Sequence, residues 1–535
     1  MNRVLIITII LVFLVGLVVS GCGKAVTTTP EPGQNISPTI TSSPQPSVKK
    51  PIYGGILKYT RNVPPGDPIG NIPEMGPSGF DMVNLTIFES LFRLDSKGKL
   101  IPILGTQVKV SDDRTFIEVN LRQGVKFHDG TDFNADTVKW NFDRWIKARG
   151  VAQLKSMEII DPYKIRINLS YFSNTVYSAL TGQAFFQTSP QYVEKVGEES
   201  ARWNPVGTGP FKFVKYERDV KLVAEKFIDY WDKGKPYLDG IEVVILPDHM
   251  TRQMAYRSGD LHITFMDGKQ AADLRDLGFS YVELPVALPV HALVPSSANP
   301  ASPWSNKKVR EAAWYAIDRK TLTDSLGYGL KVPLNQIADS GSLAFVPEIE
   351  TLRPYDPNKA KQLLADAGFA NGFKTKFIIA PRWVDRDLQV AMQSQFKRVG
   401  IEAELEFPEE GKYGTYRWNK SGWGEGIIFQ EYANWPLYTS HISFYWNYQP
   451  AQFFDLQWPE GLHKLATESL QTTEIKKELV QQFNRMLFDD ATLIPLYELK
   501  KIAFVQKNVH NSGILTSGFK DDWTPAETWI EAKTK

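Results

Sequence analysis

Residues 121–142 read LRQGVKFHDGTDFNADTVKWNF and contain a single histidine, His128, next to Asp129. A histidine beside a carboxylate is a frequent arrangement at catalytic and metal-binding sites. The Asp-Gly-Thr tripeptide that begins at Asp129 is typical of a turn, and Asn134 is suited to cap a following helix. The stretch therefore predicts a strand, a tight turn and a helix, with His128 forming hydrogen bonds at the corner.

No second base, nucleophile or metal ligand lies in the same stretch as His128, and the rest of the sequence shows no catalytic motif. The seven histidines are scattered, and no pair has the spacing of zinc ligands. The chain has neither the Gly-x-Ser-x-Gly pentad of serine hydrolases nor a phosphate-binding P-loop. The glycines of residues 422–426 lack the spacing of a dinucleotide loop and indicate a turn. We expect no enzymatic activity, no cofactor and no bound metal.

Length and charge narrow the class of protein further. A chain of 535 residues predicts two or three lobes with substantial cores. Lys and Arg together number 61 against 60 Asp and Glu, so the chain lacks the broad basic field that binds polyanions. Nucleic acid is not an expected partner. The 14 tryptophans and 21 tyrosines supply aromatic side chains for a binding surface.

The amino terminus has the pattern of a targeting segment. Arg3 precedes an apolar run from Val4 to Val19, which is too short for a typical membrane span and ends in small residues. The order Val-Ser-Gly-Cys that ends at Cys22 resembles a bacterial lipobox, in which the cysteine becomes lipidated. Cys22 is the only cysteine of the chain, so no disulfide can form within it.

Residues 23–51 are rich in Ser, Thr and Pro and contain few large apolar side chains. Such a segment cannot bury enough surface to fold. As a flexible coil it would span roughly 30 Å. We expect it to tether a lipid anchor to a folded body that starts near Ile52.

The folded body shows strand and helix patterns in alternation. Strands are predicted at residues 116–121 and 165–169, a hairpin at 211–227 that turns at 217–219, and a more buried strand at 241–246. Helices are predicted after the Asn134 cap, and at residues 309–317, 356–367, 388–399 and 475–487. Strands that alternate with helices indicate α/β lobes.

Residues 121–138 also resemble the signature of the family 5 extracellular solute-binding proteins, the peptide and nickel receptors of ABC importers. Four further blocks resemble that family in the same order, at residues 204–211, 230–239, 303–319 and 355–368. The resemblance covers roughly residues 54 to 530. It implies that these blocks are scaffold and that the histidine of the first block is a structural corner.

The family resemblance implies a type II periplasmic-binding-protein fold. This fold has two α/β lobes joined by two hinge crossovers, with a subdomain inserted in the first lobe. The expected divisions are residues 1–22 for a lipoprotein signal peptide with its lipidated cysteine, 23–51 for the tether, 52–88, 204–288 and 501–535 for the first lobe, 89–203 for the inserted subdomain, and 289–500 for the second lobe.

Two segments depart from the family pattern. Residues 291–297 read HALVPSS where relatives often carry a segment ending in Asn-Thr, and Pro295 predicts a different shape there. Relatives that bind peptides often carry an aspartate in the loop equivalent to Gln430–Pro436, where it pairs with the ammonium of the ligand. Here either Asn434 or Glu431 occupies that role. The expected ligand-binding residues are Arg382, Trp383, Gln430, Glu431, Tyr432, Asn434 and Trp435.

The resemblance implies a monomeric receptor that captures oligopeptides between two closing lobes and delivers them to the permease subunits of an ABC importer. We expect it to be anchored to membrane lipid through Cys22 on the extracytoplasmic face of the cell membrane, which is the periplasmic side in a two-membrane cell. The four tryptophans between residues 418 and 446 leave oligosaccharide as an alternative ligand, and chelated nickel is a third. A surface-anchored hydrolase and a purely structural lipoprotein are the rival classes.

Overall fold

The computed structural model describes residues 50–61, 68–75, 83, 86–95, 98–283, 288–418, 422–432, 438–442, 456–514 and 525–531. Cys22, with the predicted signal peptide and most of the predicted tether, lies outside them. The described residues from Pro51 onward belong to one compact unit. In the part of the chain that the structure describes, no helix is both long and apolar enough to cross a bilayer.

The first lobe is built on a mixed sheet. Its described strands lie in the spatial order Tyr281–Glu283, Ile502–Val505, Ile263–Phe265, Ile56–Arg61, Gly240–Ile245, Lys221–Lys226 and Phe211–Glu217. The last two form the hairpin that the sequence predicts, and Asp219 in its turn has a φ of 59°. Helices His249–Ser258 and Gly268–Asp276 pack on one face of this sheet.

The second lobe is built on another mixed sheet. Its described strands lie in the order Lys331–Pro333, Ile494–Leu499, Val290–Pro295, Ile427–Tyr432, Phe373–Ile379 and Ile401–Glu406. The central strand Val290–Pro295 is buried along its whole length, because helices cover both faces of the sheet. One face is covered by Lys307–Ala316, Arg319–Leu326, Pro357–Asp366 and Arg386–Val399, and the other by Glu410–Trp418, Tyr438–Ile442, Leu462–Leu470 and Lys477–Asp490.

Pro295 is the last residue of its strand. Pairing with strand Ile494–Leu499 already ends at Leu293, so the missing amide of the proline removes no bond on that side. The departure from regular geometry lies earlier, where the register against that strand shifts between His291 and Ala292.

The inserted subdomain contains a four-stranded antiparallel sheet, in the order Gly105–Val110, Phe116–Leu121, Lys164–Leu169 and Leu154–Asp161. Helix Ala135–Ala148 follows the predicted turn. Asn134 caps it, accepting a hydrogen bond from the Thr137 amide, while the Thr137 hydroxyl returns to the Asn134 backbone. Shorter helices complete the subdomain at Val176–Ala179, Pro190–Val196 and Glu198–Ala201.

His128 fastens the inserted subdomain to the first lobe. Its Nδ1 accepts the Gly207 amide at 3.3 Å, and its Nε2 lies 2.9 Å from the Gly209 carbonyl oxygen. Gly207 passes so close to the chain that a Cβ there would lie 2.1 Å from the carbonyl oxygen of Ile87. The first two sequence blocks therefore meet here, and His128 holds the corner between them.

Glu89 provides a second connection between the inserted subdomain and the first lobe. Its buried carboxylate accepts hydrogen bonds from the Tyr230 hydroxyl at 2.7 Å, the Thr208 hydroxyl at 3.0 Å and the Trp231 indole at 3.1 Å. The guanidinium of Arg122 lies 4.0 Å from the centroid of the Trp231 ring. Glu89 thus bonds to the second and third sequence blocks, and Trp231 connects it to Arg122 of the first.

Candidate ligand-binding site

The chain passes between the two sheets twice. The first crossing leads from strand Tyr281–Glu283 to strand Val290–Pro295, and the second from Ile494–Leu499 to Ile502–Val505. Because strand Ile427–Tyr432 runs antiparallel to Val290–Pro295, it ends at the same edge of the second sheet. In open α/β sheets, ligands bind in the crevice at such strand ends. This crossover edge of the second lobe is the candidate site.

Strand Phe373–Ile379 runs parallel to strand Ile427–Tyr432, so it also ends at this edge, and the short helical turn Pro381–Trp383 follows it. The first lobe presents the carboxyl end of strand Ile56–Arg61 beside that of its parallel partner Gly240–Ile245. Residues 62–67, which continue from this strand, lie outside the described residues. The described part of the site is therefore mainly the wall of the second lobe.

One face of the crossover edge is an aromatic cluster around His291. Cross-strand pairing places His291 between Glu431 and Tyr497. The imidazole stacks on the Tyr497 ring with centroids 4.8 Å apart, and Trp383 meets it edge-on at 5.5 Å. The Nε2 atom lies 4.0 Å from a carboxylate oxygen of Glu431.

The contact between His291 and Glu431 is not an ion pair at neutral pH. Burial lowers the pKa of His291 well below its ordinary value, and the nearby ammonium groups of Lys501 and Lys331 lower it further. The ring therefore stays neutral, and the carboxylate of Glu431 faces no charged imidazole. Lys331 itself pairs with Asp385 at 2.5 Å.

The opposite face of the same edge carries a pair of buried acids. The carboxylate of Glu498 accepts hydrogen bonds from the amide of Ser340 at 2.8 Å and from its hydroxyl at 2.7 Å. Asp339 is 1% exposed, and burial together with the charge of Glu498 raises its pKa to about 7. Burial and the charge of Asp339 in turn raise the pKa of Tyr438.

Asp339 also lies at the first crossing. Its carboxyl group accepts hydrogen bonds from the backbone of Gly341 and of Leu288, which is part of the crossing segment. Carboxyl groups thus line both faces of the crossover edge. Across the described ranges, no group of three or more His, Cys, Asp or Glu side chains is arranged to hold a metal ion.

The structure brings two of the predicted binding residues together at this edge. The ring of Trp383 and the carboxylate of Glu431 both lie next to the His291 imidazole. Gln430 points to the other face, where its side chain is buried and accepts the Tyr413 hydroxyl at 2.9 Å. Tyr432 is fully buried in the core of the second lobe.

The remaining predicted residues lie apart from this cluster or outside the described residues. Arg382 has a side chain that is 78% exposed and pairs with Glu410 at 3.0 Å. Asn434 and Trp435 belong to residues 433–437, which the structure does not describe. Trp423, one of the tryptophans that favour a sugar ligand, is 2% exposed and packs in the core of the second lobe.

Sequence reasoning did not assign His291, Tyr497, Glu498, Asp339 or Tyr438 to the site. These residues come from four separate segments. The strand order of the second sheet places His291 beside Tyr497 and Glu498, while Asp339 and Tyr438 come from a loop and a helix. The dipeptide Tyr497-Glu498 at the end of a strand, just before the second crossing, is the one local signal that could have indicated them.

Two α/β lobes joined by two crossings, with an aromatic and polar edge between them, define a receptor that closes around a solute. The model of the bacterial extracellular solute-binding proteins, family 5 (middle), matches residues 99–452, and the chain belongs to this family. The fold is that of the type II periplasmic binding proteins. The protein is thus a solute-binding component of ABC importers and not an enzyme.

Individual proteins resemble the chain over most of its length. The chain is similar to the glutathione-binding protein GsiB of Escherichia coli O6:K15:H31, with 29% identity over 450 residues, or 79% of this chain and 85% of the relative. HbpA2 of Haemophilus parasuis superposes with a TM-score of 0.78 at 20% identity, covering 89% of this chain and 100% of HbpA2. DppA of Helicobacter pylori, in complex with the peptide STSA, superposes with a TM-score of 0.70 at 21% identity, covering 90% of this chain and 99% of DppA.

Proposed function

We propose that the protein captures oligopeptides between its two lobes and delivers them to the permease of an ABC importer. The observation that carries the proposal is the crossover edge, where the rings of Trp383 and Tyr497 and the carboxylate of Glu431 all lie against His291. Aromatic rings accommodate side chains of many kinds, and a partly buried carboxylate forms a charge-assisted hydrogen bond with the amino terminus of a peptide.

The relatives support a peptide ligand. GsiB is named as a glutathione-binding protein, and DppA was solved with the peptide STSA. Glutathione and STSA are both short peptides with a free amino group. A ligand of this class fits an edge that offers carboxylates.

Among the acids at the edge, Glu431 is the proposed partner of the ligand ammonium. Burial and the charge of Glu498 raise the pKa of Asp339 to about 7, so Asp339 is the weaker partner for a cation at neutral pH. Glu498 lies on the opposite face of the edge, where it accepts two hydrogen bonds from Ser340. Asn434, the alternative position, would offer a neutral amide and no charge-assisted bond.

Calorimetry with a tetrapeptide and its N-acetylated form tests the proposal. The free tetrapeptide is expected to bind about 10- to 100-fold more tightly, as a lost hydrogen bond to a charged group costs about 1.5–3 kcal/mol. Glu431→Gln should remove that preference, and Glu410→Gln, in the exposed pair with Arg382, should keep it. Equal affinities in the wild type would move the role to the neutral Asn434. Binding of neither form would overturn the peptide assignment.

We also propose that Cys22 carries a lipid and that residues 23–51 tether the body, as a monomer, to the outer face of the cell membrane. The same proposal assigns residues 52–88, 204–288 and 501–535 to the first lobe, 89–203 to the inserted subdomain and 289–500 to the second lobe.

Cys22→Ala is expected to release the body or leave the precursor uncleaved, because no other thiol can accept the lipid. Processed, membrane-bound protein from that variant would contradict the assignment.

A further inference from the structure

The inserted subdomain reaches the second lobe at the carboxyl end of helix Leu462–Leu470. The last carbonyls of a helix have no partner within it. The Asn174 amide donates to the Leu470 carbonyl at 2.8 Å, and its side-chain nitrogen donates to the Ser469 carbonyl at 2.8 Å. The guanidinium of Arg114 donates to the Gln471 carbonyl at 2.8 Å. Residues from another part of the molecule thus cap this helix.

The capping residues are held in position within the inserted subdomain. Asn174 is 1% exposed. On either side of it, the hydroxyls of Ser173 and Thr175 lie 2.8 Å apart, and Thr175 donates to the Gln153 side chain at 2.9 Å. The turn therefore keeps its shape without the second lobe. Arg114 adds a positive charge, which is favourable at the negative end of a helix dipole.

A second contact lies beside the first. The hydroxyl oxygens of Ser178 and Ser440 are 2.7 Å apart. Ser440 belongs to helix Tyr438–Ile442, and Tyr438 lies beside the buried acid Asp339 of the candidate site. The contact between subdomain and lobe is thus continuous with the wall on which a ligand would lie.

We propose that Arg114 and the segment 173–178 form a closure latch that holds the second lobe against the inserted subdomain and slows ligand release. Opening the cleft exchanges these hydrogen bonds for bonds to water, so the latch favours the closed state and remains reversible. The proposed latch rests on the hydrogen bonds of Arg114, Asn174 and Ser178 to the second lobe. Its effect on ligand release rests on the proposed function.

Disulfide trapping tests the latch without any ligand. In the full chain carrying Cys22→Ala, which has no other native cysteine, Ser178→Cys with Ser440→Cys should cross-link rapidly under mild oxidation. Asn174→Ala or Arg114→Ala should slow the cross-link about fivefold or more, while Asn168→Ala, which lies on a strand of the same subdomain, should not change it. A pair made from Ser156→Cys and Ser440→Cys should not cross-link.

No cross-link in the Ser178/Ser440 pair, or the same rate with Asn174 and Arg114 both replaced, would overturn the latch. A melting temperature that is unchanged by Arg114→Ala shows that slower cross-linking is not a folding defect. With the tetrapeptide as probe, stopped-flow tryptophan fluorescence should show dissociation about five- to tenfold faster in Asn174→Ala than in Asn168→Ala. Failure of the tetrapeptide to bind would count against the peptide assignment alone, because cross-linking judges the latch separately.

Discussion

His128 acts as a neutral hydrogen-bonding bridge. Because its Nδ1 accepts the Gly207 amide, the ring proton lies on Nε2 and is donated to the Gly209 carbonyl. Protonation would place a second N–H against the Gly207 amide. Burial lowers the pKa of His128 from 6.5 to about 4, which keeps the ring neutral in the folded protein. A histidine with both nitrogens engaged by backbone has no free atom for catalysis.

Replacement of His128 should change stability and its pH dependence. Between pH 6.5 and about 4 the unfolded histidine binds a proton and the folded one does not, so the free energy of unfolding falls as the pH is lowered through this window. His128→Asn is expected to cost about 1 kcal/mol at neutral pH. It should also reduce the loss of stability on acidification, as measured by urea unfolding at several pH values.

The matched control is His463→Asn, which replaces an exposed histidine of helix Leu462–Leu470 and should leave the profile unchanged. Ligand affinity should be the same in the His128 variant and the wild type. Lost binding with an unchanged melting temperature would contradict the structural role and restore a functional one.

At the scale of elements, helix Ala135–Ala148 depends on its N-terminal cap, Asn134. The side chain of Asn134 accepts the Thr137 amide at 3.1 Å, and the Thr137 hydroxyl accepts the Asn134 amide at 3.2 Å. Asn134→Ala should lower the free energy of unfolding by about 0.5–2 kcal/mol. Lys139→Ala, which removes only an exposed ion pair with Asp143, should cost less than about 0.5 kcal/mol. Equal costs in chemical denaturation would show that the cap is not the cause.

The contribution of Glu89 to the free energy of unfolding should fall as the pH rises, whereas the contribution of His128 falls as the pH is lowered. Burial raises the pKa of Glu89 from 4.5 to about 7 against the hydrogen bonds that lower it. The folded state therefore favours the protonated acid, and this share of stability is present below pH 4.5 and lost as the pH rises through about 7.

Glu89→Gln tests this sign. The protonated acid has a single O–H, and its hydroxyl oxygen still accepts hydrogen bonds, whereas the amide NH2 places two N–H donors against the donors Tyr230 and Trp231 and accepts none. The variant should therefore be less stable by about 1–2 kcal/mol in mild acid. The difference from the wild type should shrink above neutral pH, because the variant has no proton to lose. Glu225→Gln, an exposed acid of the same lobe, is the control. A difference that grows with pH in calorimetric melting would contradict the assignment.

Local patterns predicted most of these elements correctly. The helix predicted at residues 388–399 is Arg386–Val399, and the strand predicted at 116–121 is Phe116–Leu121. In both segments, caps or alternation lie within a few neighbouring residues and are legible in the chain. The helix predicted at 475–487 begins later, at Lys477, and extends to Asp490. It packs against helix Leu462–Leu470, a contact that the local pattern does not contain.

At the scale of the whole molecule, the candidate site was less predictable than the elements. Trp383 and Glu431 are among the residues predicted from the sequence. Tyr497 and Asp339 are not, because only the folded chain brings their distant segments to the same edge. Periodicity indicates which side of a strand is buried, and it carries no information about which strand lies beside it. A site formed at the crossings of two lobes is therefore a property of topology.

The two crossings are joined by a weak contact. Lys500 lies 3.5 Å from the carboxylate of Glu283, and both side chains are more than one-third exposed. Exposed ion pairs of this kind contribute about 0–1 kcal/mol, so this pair does not lock the hinge. The lobes are instead coupled by what lies between them, namely the latch contacts and a bound solute.

Coupling through the ligand gives a prediction for the whole molecule. A peptide that contacts both lobes binds only the closed, folded protein, so at 100 times its dissociation constant it should raise the free energy of unfolding by about 2.7 kcal/mol. Because both lobes contribute to the site, calorimetry should show the transitions of both lobes moving upward together. At the peptide concentration used for the wild type, Glu431→Gln should reduce the shift for the free tetrapeptide and leave it unchanged for the N-acetylated form. If the peptide raised only the transition of the second lobe, the ligand would be bound to one wall, and closure around it would be contradicted.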